Sequence, residues 1–256
     1  MAMEALKVEG LSKHFGGLKV LQDISFMVEM GETIAIIGPN GAGKTTLLNL
    51  LTGQLFATAG RISLFGKEIT NMVAHRRAHL GLARSFQVNT LFFNLTVLEN
   101  VLFALQGTKP GRYQMFRYIS TNNPLFTKAH ELLNSLDLWE KKDETAQALS
   151  YGEQRRLEIT LALALEPRVL LLDEPSAGLT ADESVDVIDI INNLGSNIAV
   201  LIVAHDMDLV FGVANRIIVL HYGQIMAEGM PEEIQVHPKV RQIYLGEEET
   251  RNATAN

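Results

Sequence analysis

The chain has 256 residues, of which 47% are hydrophobic, with a net charge of -7 and no cysteine, and its pI is near 5.5. That length suits one large domain or two modest ones around a well-buried core. Disulfides and thiol chemistry are excluded, the acidic balance argues against a broad nucleic-acid-binding face, and no apolar run reaches the roughly 18 residues that span a bilayer.

The opening MAMEALKVEG has no basic region followed by an apolar stretch, so a cytoplasmic chain is expected. Residues 6–28 alternate apolar and polar about Gly16-Gly17, the pattern of two strands joined by a turn. GRISLFGKEIT, at 60–70, repeats the strand-and-glycine pattern, so a small antiparallel sheet is expected beside the core. Between these segments, residues 34–37 read as a short buried strand, and Leu47, Leu48, Leu50 and Leu51 mark a helix.

The turn joining that strand to that helix is Gly38, Pro39, Asn40, Gly41, Ala42, Gly43, Lys44, Thr45 and Thr46, a match to G-x-x-x-x-G-K-[ST]. Glycines allow positive φ and turn backbone N–H groups inward, and the helix start adds unpaired N–H groups and a positive dipole end. Lys44 can reach the β/γ-phosphates, and Thr45 can offer its hydroxyl to Mg²⁺. A glycine-rich turn that merely precedes a lysine is the plain alternative. The flanking strand and helix are the context a phosphate loop requires, so a nucleoside triphosphate is the expected ligand.

Helical spacing dominates 97–164, as in Val97, Val101 and Leu105, then Leu132, Leu133 and Leu136. A Gly-, Pro- and Asn-bearing loop or broken helix is expected over 107–126. In LSYGEQRRLEI, Ser150 and Glu153 form a capping-box pattern at a helix start, with Gly152 in the first turn. Capping explains both residues. A helix start with a serine hydroxyl, a glycine and free N–H groups is also an anion clamp, without a catalyst of its own.

VLLLDEP, from Val169, is an apolar strand that delivers Asp173 and Glu174 to the carboxyl edge of a parallel sheet, where ligands of open α/β sheets bind. Asp173 suits Mg²⁺ and Glu174 the attacking water; a solvated acidic pair is the bland reading. A helix is expected over 182–194, then a strand over 198–203 that brings His205 to the same edge. Alone, His205 reads as a structural histidine and Gln87 as a surface glutamine. The tail from 246 is polar, and its Asn252-Ala253-Thr254 sequon reads as part of that tail.

Taken in order, the phosphate loop 38–46, Gln87, the 149–154 segment, the acidic strand 169–174, SAGL at 176–179 and His205 resemble the ATP-binding cassettes of ABC transporters, over essentially the whole chain. The resemblance implies an α/β P-loop NTPase core with a mostly parallel sheet, a small antiparallel β subdomain and a helical subdomain inserted over about 88–165. It implies a single ATPase domain over 1–245 and a tail over 246–256.

It also implies that Phe15 stacks on adenine and that Gln87 touches Mg²⁺ and senses the membrane partner. Ser150 and Gly152, with Glu153 beside them, would meet the γ-phosphate of ATP held by a second cassette, as a homodimer or heterodimer. Two departures stand out: Tyr151 and Glu153 replace the commoner Gly and Gln, and Thr180 stands where Asp often follows SAGL.

The tyrosine, RRLEI, AHDMDLVFGVANRI and YLGEE look most like the branched-chain amino acid uptake subgroup, with the urea-uptake subgroup close. The resemblance then implies ATP and Mg²⁺ as ligands, two integral membrane permease subunits, a periplasmic or surface substrate-binding protein, and a place on the cytoplasmic face of the membrane. Nucleic acid is not an expected partner. A urea/amide or lipid-type transporter, export included, and a soluble ABC ATPase acting on ribosomes or DNA are the alternatives. Leu91, Phe92, Phe93 and Leu95 read either as core or as an apolar groove for a short helix of the membrane subunit.

Overall fold

In chain order the first elements are β1 (Glu4–Phe15), β2 (Leu18–Glu29), β3 (Thr33–Ile37), α1 (Lys44–Thr52), β4 (Ala59–Leu64), β5 (Lys67–Glu68), α2 (Ala74–Ala78) and β6 (Leu82–Ser85). The helical stretch follows as α3 (Val97–Gly107), α4 (Pro124–Ser135) and α5 (Tyr151–Ala164). The chain then runs through β7 (Val169–Asp173), α6 (Ala181–Asn192), β8 (Ala199–Val203), α7 (Met207–Val213), β9 (Arg216–His221), β10 (Gln224–Gly229) and α8 (Pro231–Val236). The computed structural model describes residues 3–85, 91–107 and 124–242.

Two sheets result. The antiparallel one has the order β2-β1-β4-β5, and the larger one β10-β9-β3-β8-β7-β6, parallel except for the β9–β10 hairpin. β7 and β8 are buried at every residue, which is why VLLLD and AVLIV are continuous apolar runs. Alternation along β3 sends Ile34 and Ile36 to a core shared with α1 and the antiparallel sheet. Ala35 and Ile37 face the opposite core, with Ile159 of α5, Val187 of α6 and Leu209 of α7. A third core, with Val101, Leu133 and Leu157, joins α3, α4 and α5.

The strands and helices expected near 6–28, 60–70, 97–105, 169–173, 182–194 and 198–203 are present, shifted at some ends by one or two residues. β6 and the β9–β10 hairpin have no counterpart among the expected elements. Most of the 107–126 loop and all of the 246–256 tail lie outside the described residues, although Pro124 already opens α4.

Charged side chains staple the layers. Arg216 of β9 donates from Nε to Glu32 Oε1 at 2.8 Å and from Nη2 to the Met27 carbonyl of β2 at 2.5 Å. Arg77 is fully buried and donates to four carbonyls: Leu50 and Leu51 at the end of α1, at 2.7 and 2.8 Å, Thr70 at 2.9 Å and Met72 at 2.7 Å. It adds a charged donor to the last carbonyls of α1, where only the cap N–H of Gly53 also reaches Leu50 among the backbone donors described. Burial pulls its guanidinium down to about 10, which leaves it charged at neutral pH. Arg77→Met is expected to cost about 2–4 kcal/mol in urea unfolding, because buried carbonyls lose a charged donor, whereas the exposed neighbour Arg76→Met stays within about 0.5 kcal/mol.

Candidate active site

β3 ends at Ile37, and the chain turns through 38–43 into α1. Gly38 has φ 153, and a Cβ there would stand 2.0 Å from the Leu220 carbonyl oxygen; Gly43 has φ 102, and a Cβ would stand 2.7 Å from Leu21 Cδ2. The turn is pressed against β9 on one side and β2 on the other, so only glycine fits. Gly43 caps α1 in the left-handed conformation with no side-chain cap. An anion is the natural complement of such a helix start. Pro39 and Thr46 are half-buried, Ala42 is buried, and Asn40, Gly41 and Thr45 are exposed. Lys44 is folded inward, with Nζ 2.5 Å from the Gly38 carbonyl and 3.1 Å from that of Pro39.

Strand register brings the other groups to this turn. Ile36 of β3 pairs with Val203 of β8, and Val203 pairs with Asp173 of β7, so three neighbouring strands end at one level. His205 follows β8, between the phosphate loop and the acidic pair. Its Nδ1 lies 3.3 Å from Glu174 Oε2. Glu174 adopts φ 48, a left-handed backbone unusual for a non-glycine residue, and its N–H donates to the Val203 carbonyl at 2.7 Å.

Asp173 is 2% exposed and accepts from Arg84 Nη2 at 2.6 Å. Arg84 also donates from Nη1 to Asn49 Oδ1 of α1 at 2.7 Å and to Gln54 Oε1 at 3.1 Å. One guanidinium therefore ties the acidic strand to the helix that carries Lys44 and Thr45. Arg84 was not among the expected site residues. Its signal was present, since a charge inside the LARS strand requires a buried acidic partner. The Thr45 hydroxyl and the Asp173 carboxylate are hard oxygen donors of the kind Mg²⁺ takes beside substrate phosphates. Gln87 lies outside the described residues; Ser85, two residues before it, pairs with Leu172.

The start of α5 is a complete capping box. Glu153 N–H donates to Ser150 Oγ at 3.3 Å, and Ser150 N–H donates to Glu153 Oε2 at 2.8 Å. The other Glu153 oxygen is 2.5 Å from Lys141 Nζ. Gly152 lies against Glu183: a Cβ at 152 would stand 2.4 Å from Glu183 Oε1. Together the Thr180 backbone and hydroxyl and the Gly152 N–H hold the Glu183 carboxyl below its ordinary range. The exposed Tyr151 ring covers Gly178, whose Cβ would stand 2.9 Å from its Cε1. Phe15, at the end of β1, is exposed, with Lys13 Nζ 4.9 Å from its ring centroid. No hydrogen bond or ion pair among the described residues joins Ser150 or Phe15 to the group formed by the phosphate loop, Asp173, Glu174 and His205.

The sequence profile of the ABC transporter family matches residues 21–177, which hold the phosphate loop, the capped helix and the acidic strand. The chain is an ATP-binding cassette of the ABC transporter family. A profile described as branched-chain amino acid ATP-binding cassette transporter also matches 224–250. Over 254 residues the cassette is 38% identical to the high-affinity branched-chain amino acid transport ATP-binding protein BraF of Pseudomonas aeruginosa, covering 96% of this chain and 100% of that one. It is 36% identical, with the same coverage, to LivG of Escherichia coli.

Among solved structures, the ADP conformation of the cassette MJ1267 superposes with a TM-score of 0.86 at 34% identity, covering 95% of this chain and 99% of that one. The dimeric cassette MJ0796 bound to ADP and Pi gives 0.73 at 25% identity, covering 88% and 98%.

Two glycines of the phosphate loop separate steric from conformational demand. Gly41, at φ 80, has open space where a Cβ would stand. Gly41→Ala is expected to cost the cassette about 1–2 kcal/mol for the left-handed backbone alone. Gly38→Ala should cost more, because the Leu220 carbonyl must also move; equal losses in urea unfolding would remove the steric argument.

Proposed function

We propose that the cassette is the ATP-hydrolysing subunit of an ABC importer for branched-chain amino acids. In this reading two cassettes work at the cytoplasmic face of the membrane, beneath two membrane permease subunits supplied by a substrate-binding protein. The observation that carries the chemistry is the meeting of the phosphate loop, His205 and Glu174 at the ends of β3, β8 and β7, with Glu174 and His205 3.3 Å apart. The cargo class rests on what BraF and LivG are named for.

Lys44 exchanges the Gly38 and Pro39 carbonyls for the β/γ-phosphates, and Phe15 stacks on adenine. Thr45, Asp173 and Gln87 would hold Mg²⁺, which would supply charge neutralisation on the phosphate oxygens. Glu174 takes a proton from water as its oxygen attacks the γ-phosphorus in line with the departing ADP, and the γ-phosphate leaves as inorganic phosphate. His205 orients Glu174 and contacts the γ-phosphate. Positioning and charge stabilisation supply most of the catalysis. Ser150 and Gly152 close on the γ-phosphate bound by the second cassette, and Glu153 keeps the Ser150 cap in shape.

Phe92 and Phe103, exposed and packed edge to face with centroids 4.9 Å apart, line a groove with Leu161 and Leu165 between α3 and α5. Leu91 is buried, so the 91–95 cluster divides between core and surface. The groove fits a short apolar helix of the membrane subunit.

Glu174→Gln should keep ATP affinity, lose about 100-fold or more in kcat and persist as an ATP-bound dimer. Purified with MgATP from solubilised membranes, it should bring down two polytopic membrane proteins. Normal turnover would remove Glu174 from the base role, and exclusively soluble partners would sink the importer reading. Ser150→Arg should leave nucleotide binding to the single cassette intact and abolish the ATP-dependent dimer in size-exclusion chromatography; an ATP-bound dimer of that variant counts against the clamp.

A further inference from the structure

Arg155, on the second turn of α5, is 4% exposed and spends its guanidinium on three consecutive carbonyls. Nε donates to the Pro175 carbonyl at 3.0 Å, and Nη2 donates to that of Asp173 at 3.1 Å and to that of Glu174. Nη1 pairs with Glu158 Oε2 at 2.6 Å. Burial pushes the Glu158 carboxyl up, and Arg155 opposes that push.

The three carbonyls belong to the residue before Glu174, to Glu174 itself and to the residue after it. Glu174 is also the left-handed residue of this turn, and β8 holds its N–H through Val203. A non-glycine residue at positive φ costs about 1–3 kcal/mol and persists only where its surroundings over-determine it. Here the N–H is fixed by the sheet and the C=O by the guanidinium, so the direction of the Cα–Cβ bond is fixed as well.

We propose that Arg155 is a positioning residue for Glu174: without touching the carboxylate, its grip on the Asp173–Pro175 carbonyls aims that carboxylate at the attacking water. The inference rests on the assignment of Glu174 given above. A guanidinium suits this task because its planar fork reaches several acceptors in fixed directions; the ammonium of lysine is a single point. The competing role is purely structural, in which Arg155 satisfies buried carbonyls and keeps the turn folded.

Steady-state ATPase kinetics on the full chain distinguish the two roles, with nucleotide-binding sites counted by titration with a fluorescent ADP analogue. Arg155→Met is expected to lower kcat per titrated site by about 10- to 100-fold while KM for MgATP stays within about twofold. Arg155→Lys should recover part of that loss. If the methionine variant does not fold, the lysine variant carries the comparison, with a reduced kcat per site and an unchanged KM expected.

Wild-type kcat per titrated site in the lysine variant, or in a folded methionine variant, overturns the proposal. Glu174→Gln is measured alongside. Normal turnover there overturns the assignment of Glu174 and this proposal together, whereas an inactive Glu174→Gln beside fully active Arg155 variants overturns this proposal alone.

Discussion

Burial of the central strands on both faces is the constraint from which the rest of the cassette follows. β7 and β8 have no exposed residue, and β3 is half-buried only at its first. Their interiors admit only apolar side chains, and their backbone groups are committed to neighbouring strands. Chemistry-bearing residues are therefore pushed to the strand ends or just past them, and the parallel register sets those ends side by side. The order β3-β8-β7 places a glycine turn, a histidine and two carboxylates in one row.

Where charge does enter the interior, it is matched. Arg84 faces Asp173, Arg155 faces Glu158 and a run of carbonyls, and Arg77 faces the end of α1. Buried charges are costly unless paired and hydrogen-bonded, and losing one partner of such a pair is worse than never having had it. These arginines thus act as fasteners between elements distant in sequence. Two of them fasten to the same acidic strand, Arg84 from β6 and Arg155 from α5.

The parts of this arrangement legible in the sequence are those whose physics is local. Gly38 to Thr46 is a contiguous turn and helix start, in which Gly38 answers a close approach by the Leu220 carbonyl and Gly41 and Gly43 supply positive φ. Ser150 and Glu153 satisfy each other within one helical turn. β7 and β8 announce themselves as unbroken aliphatic runs. Arg84 signalled a buried acidic partner without naming it, because Asp173 lies 89 residues away, and the carbonyls that Arg155 grips lie 18–20 residues away, a separation no local pattern records. The β9–β10 hairpin turns on Tyr222 and Gly223, both at positive φ. Such a turn favours Asn or Asp at its first position, so the tyrosine concealed it. Periodicity also could not divide buried Leu91 from exposed Phe92 and Phe93, because adjacent residues in an irregular segment follow no fixed face.

The span of Arg155 has a consequence for an assembly of two cassettes. Its backbone belongs to the helix whose first turn would clamp the nucleotide on the neighbouring cassette, while its guanidinium holds the turn that, in the proposed mechanism, would serve the nucleotide on its own. A single side chain would then stand between two reaction centres that share no ligand. In the proposed dimer, whatever tilts α5 as one centre closes would reach the carboxylate of the other through one side chain and its hydrogen bonds to three carbonyls.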